Sequence, residues 1–209
     1  MNKADLVSLM EQLRREYHLQ GGTMRAPEVW VMCTYRFGRW SSELSGLSRK
    51  LSGKAYGALS LGMLVTTGCT IHREADLGSG FHLVHVGNVK IHPQVRLGKN
   101  VGVMHDVTIG VNMERPGVPV IGDNVFIGAG AKILGPVHIG DGARIAANSL
   151  VLSDVPAGAT AVGVPARALR YTGRAAAAAA SEPVERAGGL EPPAVVGLGS
   201  TNSGRPPAG

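Results

Sequence analysis

An isoleucine, leucine or valine recurs every six residues through the middle of this chain. Six residues are three pleats of a β-strand, so these positions share one side of the strand, whereas at 3.6 residues per helical turn they would drift around a helix. A glycine or alanine usually follows, where a turn needs a small residue. The pattern predicts a parallel β-helix of about five coils; a flat β-sandwich would instead alternate with a period of two. We call these aliphatic positions the ladder; they are Ile71, Leu77, Leu83, Ile91, Leu97, Val103, Ile109, Ile121, Ile127, Ile133, Ile139, Ile145 and Val151.

One position of the ladder, in the middle of the chain, does not hold an aliphatic residue. Between Ile109 and Ile121 the expected intermediate position falls on Arg115, and a charged residue cannot enter a coil interior cheaply. We therefore predict that residues 111–119 form a loop extruded from the coil. Such a loop either overhangs a binding cleft or is a plain surface insertion.

Helical and irregular segments flank the ladder. Residues 3–19 have amphipathic spacing, a second helix is expected to start at Pro27, and a third covers residues 44–66. These helices would cover the open first coil. The predicted fold class is mainly β: a parallel β-helix over residues 67–171, preceded by an N-terminal α-helical region over residues 1–66. Residues 172–209, rich in Ala, Pro, Gly and Ser, are predicted to be a disordered tail.

Charge and cysteine content narrow the function classes. The formal net charge is +6, but the cations are scattered and no run of them alternates with aromatic residues, so nucleic-acid binding is not expected. A mild basic bias suits an anionic cofactor such as a nucleotide thioester. Cys33 and Cys69 lack a metal or redox spacing, and the N-terminus lacks the apolar core of a signal peptide. We expect a cytoplasmic protein with reduced thiols.

Two histidines fall on the same register position. Leu83 and Ile91 are eight residues apart, which implies a two-residue bulge after His85. One coil further on, His105 again lies two places after its ladder residue, so both imidazoles are predicted to stack on one face. Histidine titrates near neutrality, which suits His85 to act as a general base. His72, His82, His92 and His138 are interpreted as ordinary surface residues.

The segments IHREADLGSGFHLVHVGNVKIHPQVRLG, VGVMHDVTIG, VIGDNVFIGAGAKILGPVHIGDGARIAANSLVL and AVGVPAR resemble the hexapeptide-repeat acyltransferases, in particular their serine acetyltransferase branch. The resemblance covers about residues 60–170. It implies a left-handed coil, acetyl-CoA as the donor substrate without a metal, and a homotrimer or dimer of trimers with active sites between subunits. It also implies an acetyl-CoA-dependent O-acetyltransferase that converts L-serine to O-acetyl-L-serine in cysteine biosynthesis.

Carried over by motif, His85 stands at the family's catalytic histidine, and His105 stands where the serine enzymes have glutamine. Three further positions differ from the serine acetyltransferase pattern. Thr70 and Val84 stand where that branch has aspartates, and Val118 stands where it has a second histidine. The histidine at position 105 resembles related acetyltransferases that modify sugars of surface polysaccharides, which is the alternative function.

The predicted mechanism is direct transfer: His85 takes the proton of an acceptor hydroxyl, which attacks the thioester while backbone N–H groups stabilise the oxyanion. A pantetheine arm would lie along a stretch of small residues, and cations would bind the CoA phosphates. His105 is the second candidate catalytic residue. The candidate CoA-binding residues are Gly128, Ala129, Gly130, Ala131, Lys132, Gly163, Ala166 and Arg167, with Arg170 as a further phosphate ligand.

Two other classes remain at this point. A zinc-dependent carbonic anhydrase can be built on the same coils with three histidines, although the histidine pair five residues apart that its family uses is missing. A non-catalytic scaffold would bind no CoA. The chain does not end in the isoleucine through which serine acetyltransferases dock into a sulfhydrylase, so no docking of that kind is expected.

Overall fold

The computed structural model describes residues 3–20, residue 23 and residues 25–169; the predicted tail over 172–209 and Arg170 lie outside the described residues. Three helices come first: α1 (Lys3–Leu19), α2 (Pro27–Glu43) and α3 (Gly46–Thr67). Pro27 opens α2 at the position where a missing N–H costs nothing, as predicted. The third helix begins two residues later than expected, because Leu44 and Ser45 are extended.

Fifteen short strands follow within the described residues. They are β1 (Thr70–Ile71), β2 (Asp76–Leu77), β3 (His82–Leu83), β4 (Lys90–Ile91), β5 (Arg96–Leu97), β6 (Gly102–Val103), β7 (Thr108–Gly110), β8 (Val120–Ile121), β9 (Phe126–Ile127), β10 (Lys132–Leu134), β11 (His138–Ile139), β12 (Arg144–Ile145), β13 (Leu150–Val151), β14 (Thr160–Gly163) and β15 (Ala166–Leu169). The predicted parallel β-helix, preceded by helices, is confirmed.

The strands form three parallel faces, and each face takes every third strand of the ladder. The first face is β1-β4-β7-β10-β13, and the second is β2-β5-β8-β11. The third is β3-β6-β9-β12-β14, to which β15 adds an antiparallel edge. Ladder residues pair with ladder residues on every face, for example Leu83 with Val103 and Val103 with Ile127. The six-residue period is therefore the length of one face with its corner.

The ladder residues form the interior of the coils. From Ile71 to Val151 each of them is at most 9% exposed, and most are close to zero. The open end of the first coil is covered by α2, whose Val31, Met32 and Tyr35 belong to the same buried cluster. The prediction that helices cover the first coil is correct for α2. By contrast, α3 has no buried residue.

The interruption at Arg115 is an extruded loop, as predicted. Residues 111–119 connect β7 to β8 without regular structure, and Met113 at the tip is 93% exposed. The Arg115 guanidinium folds back and donates a hydrogen bond to the Leu152 carbonyl at 3.1 Å. No described helix combines the length and the apolar character needed to cross a lipid bilayer.

Candidate active site

The two histidines singled out by register lie side by side at one corner of the β-helix. Because Leu83 pairs with Val103, His85 and His105 occupy equivalent positions on neighbouring coils. Their ring centroids are 6.2 Å apart, with 46° between the ring planes. Both side chains are exposed, so a ligand can reach them.

The same corner continues down the molecule as a column of small residues. The pairing of the third face runs from Val103 through Ile127, Ile145 and Ala161. The residue two places after each of these partners lies at the same corner of its coil. On the first two coils that residue is a histidine, and on the later coils it is an alanine or a glycine, which leaves the corner open. We call this column the histidine edge; its members are His85, His105, Ala129, Ala147 and Gly163.

The predicted bulge after His85 is a bend over residues 84–88. The Val84 N–H donates to the Val103 carbonyl at 2.9 Å, so the bend leaves the third face in normal register. Gly87 and Asn88 both have positive φ, at 128° and 55°, and the Asn88 N–H donates to the Thr67 carbonyl. A glycine tolerates such a backbone at little cost. The two extra residues turn the chain without disturbing the coils.

Two titratable groups near this bend were not predicted as site residues. Oε1 of Glu28, in the first turn of α2, accepts a hydrogen bond from the Val86 N–H at 3.2 Å. His82 is half-buried, and burial lowers its pKa; Glu28 opposes this effect and His85 adds to it. His82 therefore belongs to the site's charge cluster. Its three-residue spacing from His85 was visible in the sequence, whereas the approach of Glu28 was not.

Asp106, beside His105, is held by two neighbours. Asn88 donates to Asp106 Oδ1 at 2.7 Å, and Lys132 Nζ lies 3.3 Å from Asp106 Oδ2 and donates to the Asp106 carbonyl. The Asn88 amide, and then Lys132, lower the pKa of Asp106 below its ordinary value. The Asp106 carboxylate therefore binds Asn88 and Lys132, and the Lys132 ammonium is paired with Asp106.

The glycines of the GAGAK segment serve the packing between coils. A Cβ on Gly128 would lie 2.6 Å from the Ala147 nitrogen of the next coil, and Gly130 has a φ of 74° and faces the Asn148 side chain. Ala131 is fully buried in the core, so it lines the interior rather than the edge. Coil stacking alone thus accounts for the lack of side chains here, and Ala129 is the member of the segment that lies on the histidine edge.

The remaining predicted CoA-binding residues lie in the terminal hairpin of β14 and β15. Gly163 pairs with Ala166, and Arg167 pairs with Val162. The Gly163 N–H donates to Ser149 Oγ at 3.2 Å, which fixes the hairpin on the last coil. Gly163 lies at the end of the histidine edge, Arg167 is exposed, and Ala166 is 9% exposed.

Other features singled out from the sequence lie apart from the histidine pair. The loop over residues 111–119 leaves the corner between the first and second faces, so within one protomer it does not overhang the histidines. His72 and His92 follow paired residues of the first face, as their register implied. Val118 packs against the core. The described part of the chain contains no cluster of three or more His, Cys, Asp or Glu placed to hold a metal ion.

Comparisons with known proteins identify relatives in sequence and in fold. Residues 119–153 match the family model "Bacterial transferase hexapeptide (six repeats)". Over 105 residues the chain is 42% identical to a serine acetyltransferase of Helicobacter pylori, covering 49% of this chain and 61% of that relative. The solved serine acetyltransferase of Neisseria gonorrhoeae in complex with serine is 31% identical with a TM-score of 0.59, covering 79% of this chain and 69% of that one. This chain belongs to the serine acetyltransferase family.

The chain is also similar to a solved serine acetyltransferase of Brucella abortus in complex with coenzyme A. It is 30% identical with a TM-score of 0.63, covering 79% of this chain and 67% of that one. The matched part of the chain spans about three fifths of the length of the H. pylori serine acetyltransferase. Two of its differences from the serine acetyltransferase pattern lie near the bend that carries His85. Thr70 opens β1, its N–H donating to the Val89 carbonyl, and Val84 directly precedes His85.

Proposed function

We propose that this chain is an acetyl-CoA-dependent serine O-acetyltransferase that converts L-serine to O-acetyl-L-serine, with His85 as general base. The observation that carries the proposal is the histidine edge, which puts two exposed imidazoles at one end of an open column of small residues. An acceptor hydroxyl beside His85 and an extended thioester arm along Ala129, Ala147 and Gly163 would meet at the histidines. The relatives solved with coenzyme A and with serine support both substrates.

The reaction balances without a covalent enzyme intermediate. His85 accepts the proton of the serine hydroxyl as its oxygen attacks the thioester carbonyl. The C–S bond breaks, the thiol of CoA leaves, and the proton held by His85 passes to the leaving sulfur. Backbone N–H groups at the corner are suited to stabilise the oxyanion, because they are fixed before the substrate binds. His105 contacts the same acceptor from the neighbouring coil.

The acceptor has a second candidate, a sugar hydroxyl of a surface polysaccharide. The observation that favours it is local: the position before His85 is Val84, and Asp106, which follows His105, is already engaged by Asn88 and Lys132. Neither provides a free carboxylate for the amino group of serine. A sugar hydroxyl carries no such charge and needs no carboxylate.

The proposal extends to the residues around the edge and to the assembly. Arg167 is the proposed ligand of the CoA phosphates, with Lys132 as a second candidate that would have to give up part of its contact with Asp106. Residues 67–171 would be the catalytic domain, residues 1–66 its helical cover and residues 172–209 a tail. We also propose that the protein is cytoplasmic and forms a homotrimer or a dimer of trimers with sites between subunits. Light scattering in solution would test the assembly.

The deciding experiment is a thiol-release assay with acetyl-CoA, comparing L-serine with a panel of sugars. The variants are His85→Ala and, as a matched control, His138→Ala, which removes an exposed histidine of the second face. Loss of a general base predicts a drop in kcat of about 10²–10⁴-fold for His85→Ala only. Release with sugars alone would assign the sugar acceptor. A His85→Ala activity within twofold of the parent protein would rule out His85 as the base.

A further inference from the structure

The middle of the segment that carries His85 is tied to α2 by a carboxylate. Glu28 lies 58 positions away from Val86 in the sequence, yet its Oε1 accepts the Val86 N–H at 3.2 Å. Val86 directly follows His85 and is half-buried against the core. The hydrogen bond therefore fixes the peptide next to the proposed base from outside the β-helix.

The bend needs such a tie more than a regular strand would. Gly87 and Asn88 have φ values of 128° and 55°, and a glycine populates many backbone conformations when nothing holds it. The Asn88 N–H bond to Thr67 anchors the far end of the bend. Glu28 anchors its middle, where the direction of the His85 side chain is set.

Glu28 also brings a negative charge to the histidines. It raises the pKa of His82, against the effects of burial and of His85. The other charged groups facing this corner are His105 and Asp106 on the next coil and Lys132 on β10. Within the described residues, Asp106 is paired with Lys132, and Glu28 is the negative group that acts on His82.

We propose that Glu28 is a positioning residue for His85: its carboxylate fixes the bend through the Val86 amide and so holds the direction in which the neighbouring imidazole meets the acceptor hydroxyl. The role rests on the proposed function, but the contact itself can be measured without any turnover. The acceptor's proton moves to His85 and then to the leaving sulfur, and Glu28 exchanges no proton.

Three variants separate the contact from the charge. Glu28→Gln keeps an oxygen that can accept the Val86 N–H but removes the charge, and Glu28→Ala removes both. Glu43→Gln is the matched control, because it neutralises an exposed glutamate at the other end of α2. If Glu28→Ala fails to fold, the titration of His82 in Glu28→Gln still tests whether the Glu28 charge acts at this corner.

The first readout is NMR of the free protein. Amide hydrogen exchange at Val86 should rise about tenfold in Glu28→Ala and stay near the parent rate in the two glutamine variants. The pKa of His82 should fall further in Glu28→Gln, because the charge that raised it is gone. Unchanged exchange in Glu28→Ala, or an unchanged His82 titration in Glu28→Gln, would overturn the role of Glu28 whether or not acetyl transfer is observed.

The second readout is kinetic, with whichever acceptor the parent protein uses. We expect kcat to fall roughly a hundredfold in Glu28→Ala with KM for acetyl-CoA unchanged, since a displaced base slows only the chemical step. In Glu28→Gln, which keeps an oxygen for the Val86 N–H, kcat should stay near the parent value. A parent-like kcat in Glu28→Ala would reject the positioning role. If the parent protein transfers no acetyl group while the NMR changes appear, the proposed function has failed and the contact has not.

Discussion

At the scale of single residues, the charges of this site act through neighbours rather than alone. His82 is half-buried, and burial lowers its pKa, while Glu28 raises that pKa and His85 lowers it further. Asp106 and Lys132 form a pair that is still partly open to water. Exposed pairs contribute little to stability, but they decide which charged groups are available to a ligand.

The contact between Asp106 and Lys132 predicts how the Asp106 carboxyl group titrates. Asp106 binds a proton less readily in the folded state, so the stability it provides is present above its unfolded pKa of about 3.9 and lost as pH falls through the folded value. In Lys132→Met the pKa of Asp106 should rise towards its ordinary value, although the Asn88 amide keeps it from rising fully. Stability at neutral pH should fall by less than about 1 kcal/mol.

NMR titration of the carboxyl group, with urea unfolding at several pH values, checks this. Lys90→Met is the control, because Lys90 is an exposed lysine that precedes Lys132 by two strands on the same face. An Asp106 titration that is the same in both variants would contradict the pairing. A KM for acetyl-CoA that rises in Lys132→Met would add a phosphate contact to the role of this lysine.

At the scale of elements, each coil depends on close contact with the next. The backbone of one corner approaches that of the neighbouring coil so closely at Gly128 that no Cβ fits beside the Ala147 nitrogen. A run of small residues here is consequently ambiguous from sequence, because stacking and ligand binding both call for it. The two requirements separate in the structure: Gly128 meets the next coil, whereas Ala129 is on the open histidine edge.

Gly128→Ala should therefore destabilise the fold even without a ligand. The added methyl group must displace backbone atoms of the neighbouring coil, at an expected cost of about 1–3 kcal/mol. Gly57→Ala makes the same chemical change in the interior of α3, where nothing lies within 4 Å, and should stabilise by about 0.5–1 kcal/mol. Urea unfolding of both variants measures the difference, and equal midpoints would refute the stacking argument.

At the scale of the whole molecule, α2 joins the helical region to the β-helix and reaches the site. Tyr35 donates its hydroxyl to the Ala75 carbonyl at 2.8 Å and accepts the Leu77 N–H at 3.3 Å. Burial raises the pKa of Tyr35, so the hydroxyl keeps its proton near neutral pH. Glu28, two turns earlier on α2, reaches the His85 bend. Residues of α2 thus contribute both to the cover of the first coil and to the hydrogen bonding of the His85 bend.

Tyr35→Phe tests how tightly that helix is docked. The change leaves a buried carbonyl and a buried N–H of the first coil without their partner, which costs about 1–3 kcal/mol. Tyr56→Phe is the comparison, because its ring lies beside the Arg73 guanidinium at 5.0 Å and keeps that contact without the hydroxyl. Thermal and urea unfolding should show a clear loss for Tyr35→Phe only, and equal losses would be evidence against the two Tyr35 hydrogen bonds.

The local pattern determined most of the architecture. A six-residue period needs only that ladder residues face inward and small residues turn the corners, so the coils, the loop at Arg115 and the neighbouring positions of His85 and His105 could all be counted along the chain. Register is a property of the repeat, and a two-residue bulge is visible as a change in spacing. The helices followed from amphipathic spacing and from Pro27 for the same local reason.

The tertiary structure decided which partners meet across long distances. The contact between Glu28 and Val86 depends on how α2 docks on the first coil, and no period in the sequence encodes that angle. The engagement of Lys132 by Asp106 required side-chain directions at a corner rather than a count of residues. The ladder determines where each coil places its residues, whereas the electrostatic surroundings of His85 arise from packing between elements that are distant in the chain.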